Sequence, residues 1–561
     1  MTEKIVIYQL FPRLFGNNIN SQKPWGKISE NGSGKFNDIS ESALESLLEL
    51  GINHIWLTGI IRHASGTAYP EFNLTQSHPQ IIKGLAGSPY AIKDYYDIDP
   101  DLAIRVDKRM DEFEELIIRI HKHGIKVLVD FVPNHVSRDY KSTNKPSNVK
   151  DLGEGDDQSV YFSKNNNFYY LPGQNLSLPM QYDHEAFWEE PAKATGNNLF
   201  SPSPSMQDWY ETVKLNYGVE YPTAVNHFEP IPDTWIKMKD ILLFWSLKGV
   251  DGFRCDMAGM VPLEFWKYGI GKIREEFPDI LFIAELYEPE RYRGFIEIAR
   301  FDFLYDKVGL YDCLRDIICG VKSTEGISKA WERLDGLDRH MLRFMENHDE
   351  QRIASNHFAG DAWKGIPAMA ICTLMNSGPV MLYNGQEVGE EAVGSTGFSG
   401  DDGRTSIYDY SSMPELQKWR NQGACDEKLL DLDKKLLRET YSSLFHFARI
   451  RPEIQGQFYD LMWQNQDMEE QVKSKIYAFL RYKDNSVLLI GVCFSQEIMH
   501  ARIRIPVHAL EMAGLAYRES FNINQLHPSG HSAANLMISQ LTGAGVLIEF
   551  DRSGWAAISL S

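Results

Sequence analysis

Short apolar runs separated by longer amphipathic stretches dominate the chain up to Ile450. Apolar runs of about four to eight residues predict buried strands, and apolar residues that recur at helical spacing predict helices. Phe113, Leu116 and Ile120, for example, share one face of a predicted helix. The predicted strands are Ile5–Phe11, Asn53–Leu57, Ile125–Val132, Val250–Cys255, Ile280–Ala284, Phe301–Leu304, Met341–Glu346 and Val380–Tyr383. Strands that alternate with helices indicate βαβ units and a parallel sheet.

These repeated units favour an α/β fold, a (β/α)8 TIM barrel. An open doubly wound sheet is built from the same units and stays an alternative at this stage. One connection is much longer than the others, because residues 136–232 separate the third predicted strand from the next predicted helix. Connections in such units usually run about 2–6 residues. Val136–Pro232 therefore predicts a subdomain inserted after strand 3, at the end of the barrel where active sites form.

The chain changes character after the predicted helix Lys434–Ile450. Alternating apolar and polar residues, separated by turn residues, predict short strands and an antiparallel β-sandwich. These strands are Ser474–Arg481, Ser486–Cys493, Arg502–Pro506, Gly545–Phe550 and Trp555–Leu560. The predicted domains are a barrel of residues 1–135 and 233–452, an inserted subdomain of residues 136–232, and a C-terminal β-sandwich of residues 453–561.

The composition excludes several classes of protein. Hydrophobic residues make up 43% of the 561 residues, which supports a large buried core and argues against disorder. The formal net charge of −20 repels phosphate backbones and anionic lipid head groups, so we expect neither nucleic acid nor a membrane as a partner. The sequence has no signal-peptide core and no apolar stretch long enough to span a bilayer, which predicts a cytoplasmic protein.

Motif searches disfavour several other chemistries. The chain has no P-loop, no GxGxxG after a strand and no GxSxG, which argues against nucleotide, dinucleotide and serine-hydrolase chemistry. His184-Glu185 starts like a zinc-binding helix, but Trp188 stands where the HExxH motif has its second histidine. The six cysteines form no CxxC pair, so buried free thiols are the simpler interpretation.

Carboxylates stand at the ends of four predicted strands. They are Asp130, Asp256, Glu285 and Asp349, which end the third, fourth, fifth and seventh strands. Side chains at the carboxyl ends of barrel strands converge on one cleft. A carboxylate directly after an apolar strand is costly to bury unless it is paired, and Arg254 lies on the same strand face as Asp256. A single such acid is more often a helix cap or a loop residue, but four of them indicate a functional site.

The segments around these acids resemble the four signature regions of the α-amylase family of glycoside hydrolases, family 13, and occur in that family's order. They are Asp130-Phe-Val-Pro-Asn134-His135, Gly252-Phe-Arg254-Cys-Asp256, Ala284-Glu285 and Asn347-His348-Asp349. Tyr8–Pro12, Tyr90–Tyr96 and Gly378–Glu387 are similar to further regions of the family. The resemblance covers roughly residues 4–450 and includes the position of the inserted subdomain.

The resemblance implies a role for residues of these regions. Asp256 would be the nucleophile, Glu285 the general acid/base, and Asp349 a third carboxylate that grips sugar hydroxyls. The residues implied to bind or surround the sugar at the reacting position are Tyr90, Asp130, His135, Arg254 and His348. Retaining cleavage needs an ionised carboxylate and a protonated carboxyl about 5–5.5 Å apart. We therefore expect Arg254 to lower the pKa of Asp256.

The implied chemistry requires no cofactor. Asn134 is a calcium ligand in several members of the family, so the resemblance leaves a structural calcium ion at Asn134 open. Many starch-cleaving members carry Lys-His shortly after the nucleophile, where this chain has Gly259-Met260.

The implied partner is an oligosaccharide or polysaccharide substrate, and hydrolysis of α-glucans or malto-oligosaccharides is the first hypothesis. Transfer of the glycosyl unit to a sugar acceptor, and a glucan-binding barrel without activity, are the alternatives. No pattern in the sequence indicates the oligomeric state.

Overall fold

A closed parallel barrel forms the centre of the computed structural model, which describes residues 3–498, 500–515, 517–528 and 534–561. Its strands in chain order are β1 (Val6–Leu10), β2 (His54–Leu57), β3 (Lys126–Phe131), β4 (Gly252–Cys255), β5 (Leu281–Ala284), β6 (Phe303–Tyr305), β7 (Met341–Leu342) and β8 (Val380–Tyr383). Each strand from β1 to β6 pairs in parallel with the strand that follows it in the chain, and β1 also pairs with β8. A parallel bridge between Arg343 and Val380 closes the ring between β7 and β8.

The predicted TIM barrel is therefore confirmed, and the open doubly wound sheet is wrong. β7 is shorter than predicted, because it ends at Leu342 rather than at Glu346. Beyond Arg343 the chain turns so that Glu346 can reach Arg352, whose Nη1 donates to Glu346 Oε2 at 2.8 Å. Both side chains are buried, so this ion pair competes with continuation of the strand.

Helices surround the barrel. The main ones are Glu41–Leu50, Arg109–Lys122, Asp233–Leu247, Leu263–Glu276, Tyr292–Glu297, Asp312–Ile318, Glu325–Glu332, Ile366–Leu374 and Leu432–Ile450. Local signals set their ends. The Ser40 hydroxyl caps the first of these helices by accepting from the Ala43 amide, and Gly51 ends it at a φ of 100°. No helix in the described ranges is long and apolar enough to cross a membrane.

The inserted segment is tied to the barrel immediately after β3. His135–Ser137 pairs antiparallel with Thr212–Lys214, so both ends of the insertion lie beside the carboxyl ends of β3 and β4. Its other strand pairs are Tyr170–Leu171 with Ala192–Lys193 and Val219–Glu220 with Val225–Asn226. A hairpin that was not predicted, Ile61–His63 with Ile92–Ile98, follows β2. The insertion thus stands at the end of the barrel that carries the predicted acids.

The C-terminal region is built from antiparallel strands, as predicted. Its larger sheet contains Gln457–Asp460, Ile476–Lys483, Ser486–Cys493, Trp555–Leu560, Ser520–His527 and Ala534–Met537, in that spatial order. A second sheet pairs His500–Ile503 with Val546–Glu549. The two sheets approach closely, since a Cβ atom at Gly491 would lie 2.9 Å from Ile548 Cδ1. The exact domain boundaries stay predictions.

Candidate active site

Asp256 and Glu285 lie at the ends of neighbouring barrel strands. Each directly follows the last residue of its strand, β4 or β5, and those last residues, Cys255 and Ala284, are register partners. Neighbouring strands lie about 4.8 Å apart. Carboxyl groups about 5–5.5 Å apart are the spacing of retaining glycosidases. The strand register therefore places the two acids side by side at the same end of the barrel.

One guanidinium holds both of these carboxylates. Arg254 Nη1 lies 2.8 Å from Asp256 Oδ1, and Nη2 lies 2.9 Å from Glu285 Oε1. Asp130 Oδ1 lies 3.6 Å from the same Nη1, and Arg254 Nε donates to the Tyr305 hydroxyl at 3.2 Å. The arginine side chain is 1% exposed. Arg254 is thus a buried cation that fixes the positions of the acids around it.

The electrostatics of Asp256 differ from the prediction. Burial and the charge of Glu285 raise the pKa of Asp256 well above its ordinary value, and Arg254 only partly opposes this. The expectation that Arg254 would hold this pKa low is therefore wrong, because burial and the neighbouring charge of Glu285 outweigh the guanidinium.

Glu285 is held by two further donors that the sequence analysis missed. The Met257 amide donates to Oε2 at 2.7 Å, and the Tyr287 hydroxyl donates to Oε1 at 2.6 Å. Met257 has a φ of 42°, a left-handed conformation that aims its amide at Glu285 directly after the proposed nucleophile. Tyr287 follows Glu285 by two residues, so the alternation of side chains along extended backbone could have identified it.

Asp349 contacts His348, which in turn contacts Tyr90 and Gln9. His348 Nε2 lies 3.0 Å from Asp349 Oδ2 and 2.6 Å from the Tyr90 hydroxyl, while the Gln9 amide contacts Nδ1 at 2.8 Å. The Tyr90 ring stacks on the imidazole at 5.1 Å. Burial opposes the ionisation of Asp349, but the charge and hydrogen bond of His348 and the charge of Arg254 lower its pKa to about 2. Asp349 therefore carries a negative charge at neutral pH.

A cavity of about 180 Å³ brings the predicted residues together. Its walls include Tyr90, His135, Asp256, Glu285 and Asp349. Asp130, Arg254 and His348 stand behind these residues and are at most 5% exposed. Asp256 Oδ2 is buried and finds no hydrogen-bond partner within the described part of the chain. The cavity also contains Trp209 of the inserted segment, whose ring lies 5.1 Å from the His135 ring.

Comparison with known proteins agrees with this geometry. A family model described as the catalytic domain of alpha-amylase matches residues 9–283. This part of the chain belongs to the α-amylase family. Alpha-amylase 2 of Dictyoglomus thermophilum is 22% identical over 79% of this chain and 64% of its own length. A cyclomaltodextrinase of Thermoanaerobacter pseudethanolicus is 24% identical over 69% of this chain and 58% of its own length. The chain thus spans less than two thirds of either relative.

Solved structures of α-amylases share the whole architecture. An α-amylase from Geobacillus thermoleovorans, complexed with acarbose, superimposes with a TM-score of 0.63 at 16% identity and covers 100% of this chain and 98% of its own. A maltogenic α-amylase from Thermotoga neapolitana gives a TM-score of 0.62 at 19% identity, covering 99% and 98%. At these identities the likeness establishes the α-amylase fold, including the C-terminal region.

His135 lies in this cavity as a buried, uncharged imidazole. Burial, with the charges of Lys214 and Lys83, lowers the pKa of His135 to about 3. The unfolded chain binds a proton at this histidine below about pH 6.5, whereas the folded protein does not until about pH 3. The histidine therefore costs the folded protein stability as the pH falls through this window.

We expect His135→Gln to gain stability relative to the wild type as the pH is lowered. The free energy of unfolding of the variant minus that of the wild type should have its lowest value near pH 7 and should rise as the pH is lowered to about 4. Urea unfolding at a series of pH values measures this difference. A difference that is constant between these pH values would contradict the assignment of a neutral, buried His135.

The surroundings of Asn134 do not fit a calcium ion. The Lys214 ammonium contacts Asn134 Oδ1 and donates to the Met260 carbonyl at 3.0 Å, and Asn134 Nδ2 donates to the Gly196 carbonyl. Calcium takes about 6–8 oxygen ligands, several of them carboxylates. No group of three or more histidine, cysteine or acidic side chains suited to a metal occurs among the residues that the structure describes. The ammonium of Lys214 thus joins Asn134 to the Met260 carbonyl, and its positive charge disfavours a second cation at this place.

We expect calcium to have no effect on stability. Millimolar calcium or EDTA should shift the melting temperature by less than about 1 °C, because a ligand stabilises only a protein that binds it. Differential scanning fluorimetry of chelator-treated protein with and without calcium measures this shift. A rise of several degrees with calcium, or a similar loss with EDTA, would restore the calcium hypothesis.

Proposed function

We propose that this protein is a retaining α-glycoside hydrolase that acts on α-glucans or malto-oligosaccharides. The observation that carries the proposal is the pair of acids on neighbouring strands, Asp256 and Glu285, held by the single guanidinium of Arg254. Both acids line one cavity, so they can act on opposite sides of the same glycosidic bond. Relatives named alpha-amylase and cyclomaltodextrinase support this substrate class.

The reaction follows from the geometry of the acids. A carboxylate oxygen of Asp256 forms a bond to the anomeric carbon while the bond from that carbon to the leaving oxygen breaks. Glu285 gives its proton to the leaving oxygen. Water then attacks the anomeric carbon of the glycosyl–enzyme, Glu285 takes the proton from this water, and the Asp256 carboxylate is released. The unpartnered Oδ2 of Asp256 supports its role as the nucleophile.

The remaining residues of the cavity support the same reaction. Asp349 is charged and 45% exposed, which suits it to accept hydrogen bonds from sugar hydroxyls. Tyr90 presents an aromatic ring, and His135 a neutral imidazole, to the same cavity. The reaction needs no cofactor. The sugar substrate is the proposed partner, and the cytoplasmic location stays a prediction.

A substrate panel tests the proposal. Malto-oligosaccharides, pullulan, sucrose and trehalose should be incubated with the protein, with products separated by chromatography and their first-formed anomer read by NMR. We expect cleavage of α-1,4-linked chains and release of the α-anomer. No turnover of any α-glucoside, or first release of the β-anomer, would overturn the proposal. The same panel with excess glucose separates hydrolysis from transfer, because transfer yields longer saccharides.

A further inference from the structure

A series of three aromatic rings leads from the catalytic cavity to the protein surface. Tyr408 lines the cavity beside Asp349. The Phe398 ring lies 5.2 Å from the Tyr408 ring, and the Trp25 ring lies 6.4 Å from the Phe398 ring, both in edge-to-face contact. Phe398 thus contacts both of the other rings and connects them. Trp25 is 55% exposed, so the series ends in solvent.

Trp25 is held in this exposed position at a cost. Its φ of 58° is left-handed, which is unfavourable for a bulky residue. Its amide donates to the Thr396 carbonyl at 3.2 Å. Gly397 permits this approach, because a Cβ atom there would lie 2.9 Å from the Trp25 nitrogen. Strained backbone of this kind concentrates at ligand sites, and burial of the indole in the core does not explain it.

Polar groups line a second cavity next to the Trp25 backbone. This cavity has a volume of about 160 Å³ and is lined by Gln22, Thr396 and Arg404, among others. Thr396 is the residue whose carbonyl holds Trp25. The charge of Arg404 also helps to lower the pKa of Asp349, which places this segment on the Asp349 side of the catalytic cavity. Apolar rings with a few convergent polar groups are the usual composition of a small-molecule site.

We propose that Trp25 binds a distal sugar unit of an α-glucan whose reacting unit lies between Asp256 and Glu285, with Phe398 and Tyr408 supporting the chain between them. The inference rests on the proposed function and adds a preference for longer chains. The face of a sugar ring carries C–H groups that pack on an indole, while its hydroxyls stay available to polar groups. The inference therefore predicts that a disaccharide held at the acids leaves Trp25 unoccupied, whereas a longer chain occupies it.

Trp25→Ala tests this inference against a matched control. Trp463→Ala removes an indole of almost equal exposure, 54%, from the C-terminal region. The kcat/KM of each protein is measured for maltose through maltoheptaose. We expect Trp25→Ala to leave the value for maltose unchanged and to lower that for maltoheptaose about tenfold, as about 1.4 kcal/mol of lost stacking would do. Trp25→Phe should lose less, and Trp463→Ala nothing.

Binding provides a second readout. Titration calorimetry of maltoheptaose into Asp256→Asn protein, with and without Trp25→Ala, should show the same tenfold loss. A length profile for Trp25→Ala that equals the wild type, or an equal loss at every length, would overturn the inference while leaving the hydrolase proposal intact. Absence of turnover by the wild type would instead contradict the proposed function. Melting temperatures near that of the wild type confirm that the variants fold.

Discussion

Asp256→Asn is expected to lower kcat for malto-oligosaccharides by about 10⁴-fold or more. The amide keeps the shape of the side chain, and its oxygen can still accept from Arg254 Nη1, which lies 2.8 Å from Oδ1 in the wild type. It loses the negative charge that attacks the anomeric carbon, so no glycosyl–enzyme forms. Because binding contacts are retained, KM should change much less than kcat. Initial rates over a range of maltoheptaose concentrations separate the two constants.

Asp240→Asn provides the matched control for this loss. Asp240 lies on the outer helix Asp233–Leu247 and its side chain is 38% exposed. Its replacement by asparagine makes the same chemical change outside the cavity. We expect it to keep full activity. A fall of less than about tenfold in Asp256→Asn would show that another group supplies the nucleophile.

Glu285→Gln is expected to have the second-largest effect, a fall of about 10²–10⁴-fold in kcat/KM for oligosaccharides. Glutamine cannot give a proton to the leaving oxygen. It keeps an amide oxygen that accepts from the Met257 amide, which lies 2.7 Å from Glu285 Oε2. A substrate whose leaving group is already a weak base, such as a nitrophenyl glycoside, needs little protonation, so its first step should be far less affected.

The contrast between leaving groups is the decisive readout for Glu285. An added small nucleophile such as azide should also restore turnover of the activated substrate, because azide needs no general base in the second step. Glu275→Gln changes an outer-helix glutamate that is 62% exposed and should behave as the wild type. Equal losses on activated and natural substrates would contradict the acid/base role.

Much of the barrel could be predicted from the sequence, because each strand is an apolar run that ends at a polar residue. β1, β3 and β8 lie within the predicted runs or match them. The length of β7 was overestimated. The buried ion pair of Glu346 and Arg352 lies beyond the end of the strand, and no local sequence pattern reveals this contact. In the C-terminal region, Gln457–Asp460, Ser520–His527 and Ala534–Met537 were missed. These strands carry polar residues on their exposed sides, and pairing with neighbours holds them.

The candidate acids Asp256 and Glu285 were found because each directly follows an apolar strand, but their electrostatics were not. The pKa of Asp256 depends on burial and on Glu285 sharing the guanidinium of Arg254, and both require three-dimensional positions. The contact between Lys214 and Asn134 is similarly invisible, because Asn134 directly precedes the strand His135–Ser137 and Lys214 lies on the strand that pairs with it. The sequence identified the candidate acids, whereas the fold determines what surrounds them.

A trapped covalent intermediate tests the central claim most directly. The protein should be incubated with an activated fluoroglycoside that forms the glycosyl–enzyme quickly and hydrolyses it slowly, then digested and analysed by mass spectrometry. The account predicts one added glycosyl unit on the peptide that contains Asp256, and none after Asp256→Asn. An active enzyme that carries no adduct, or carries it on another residue, would contradict the account.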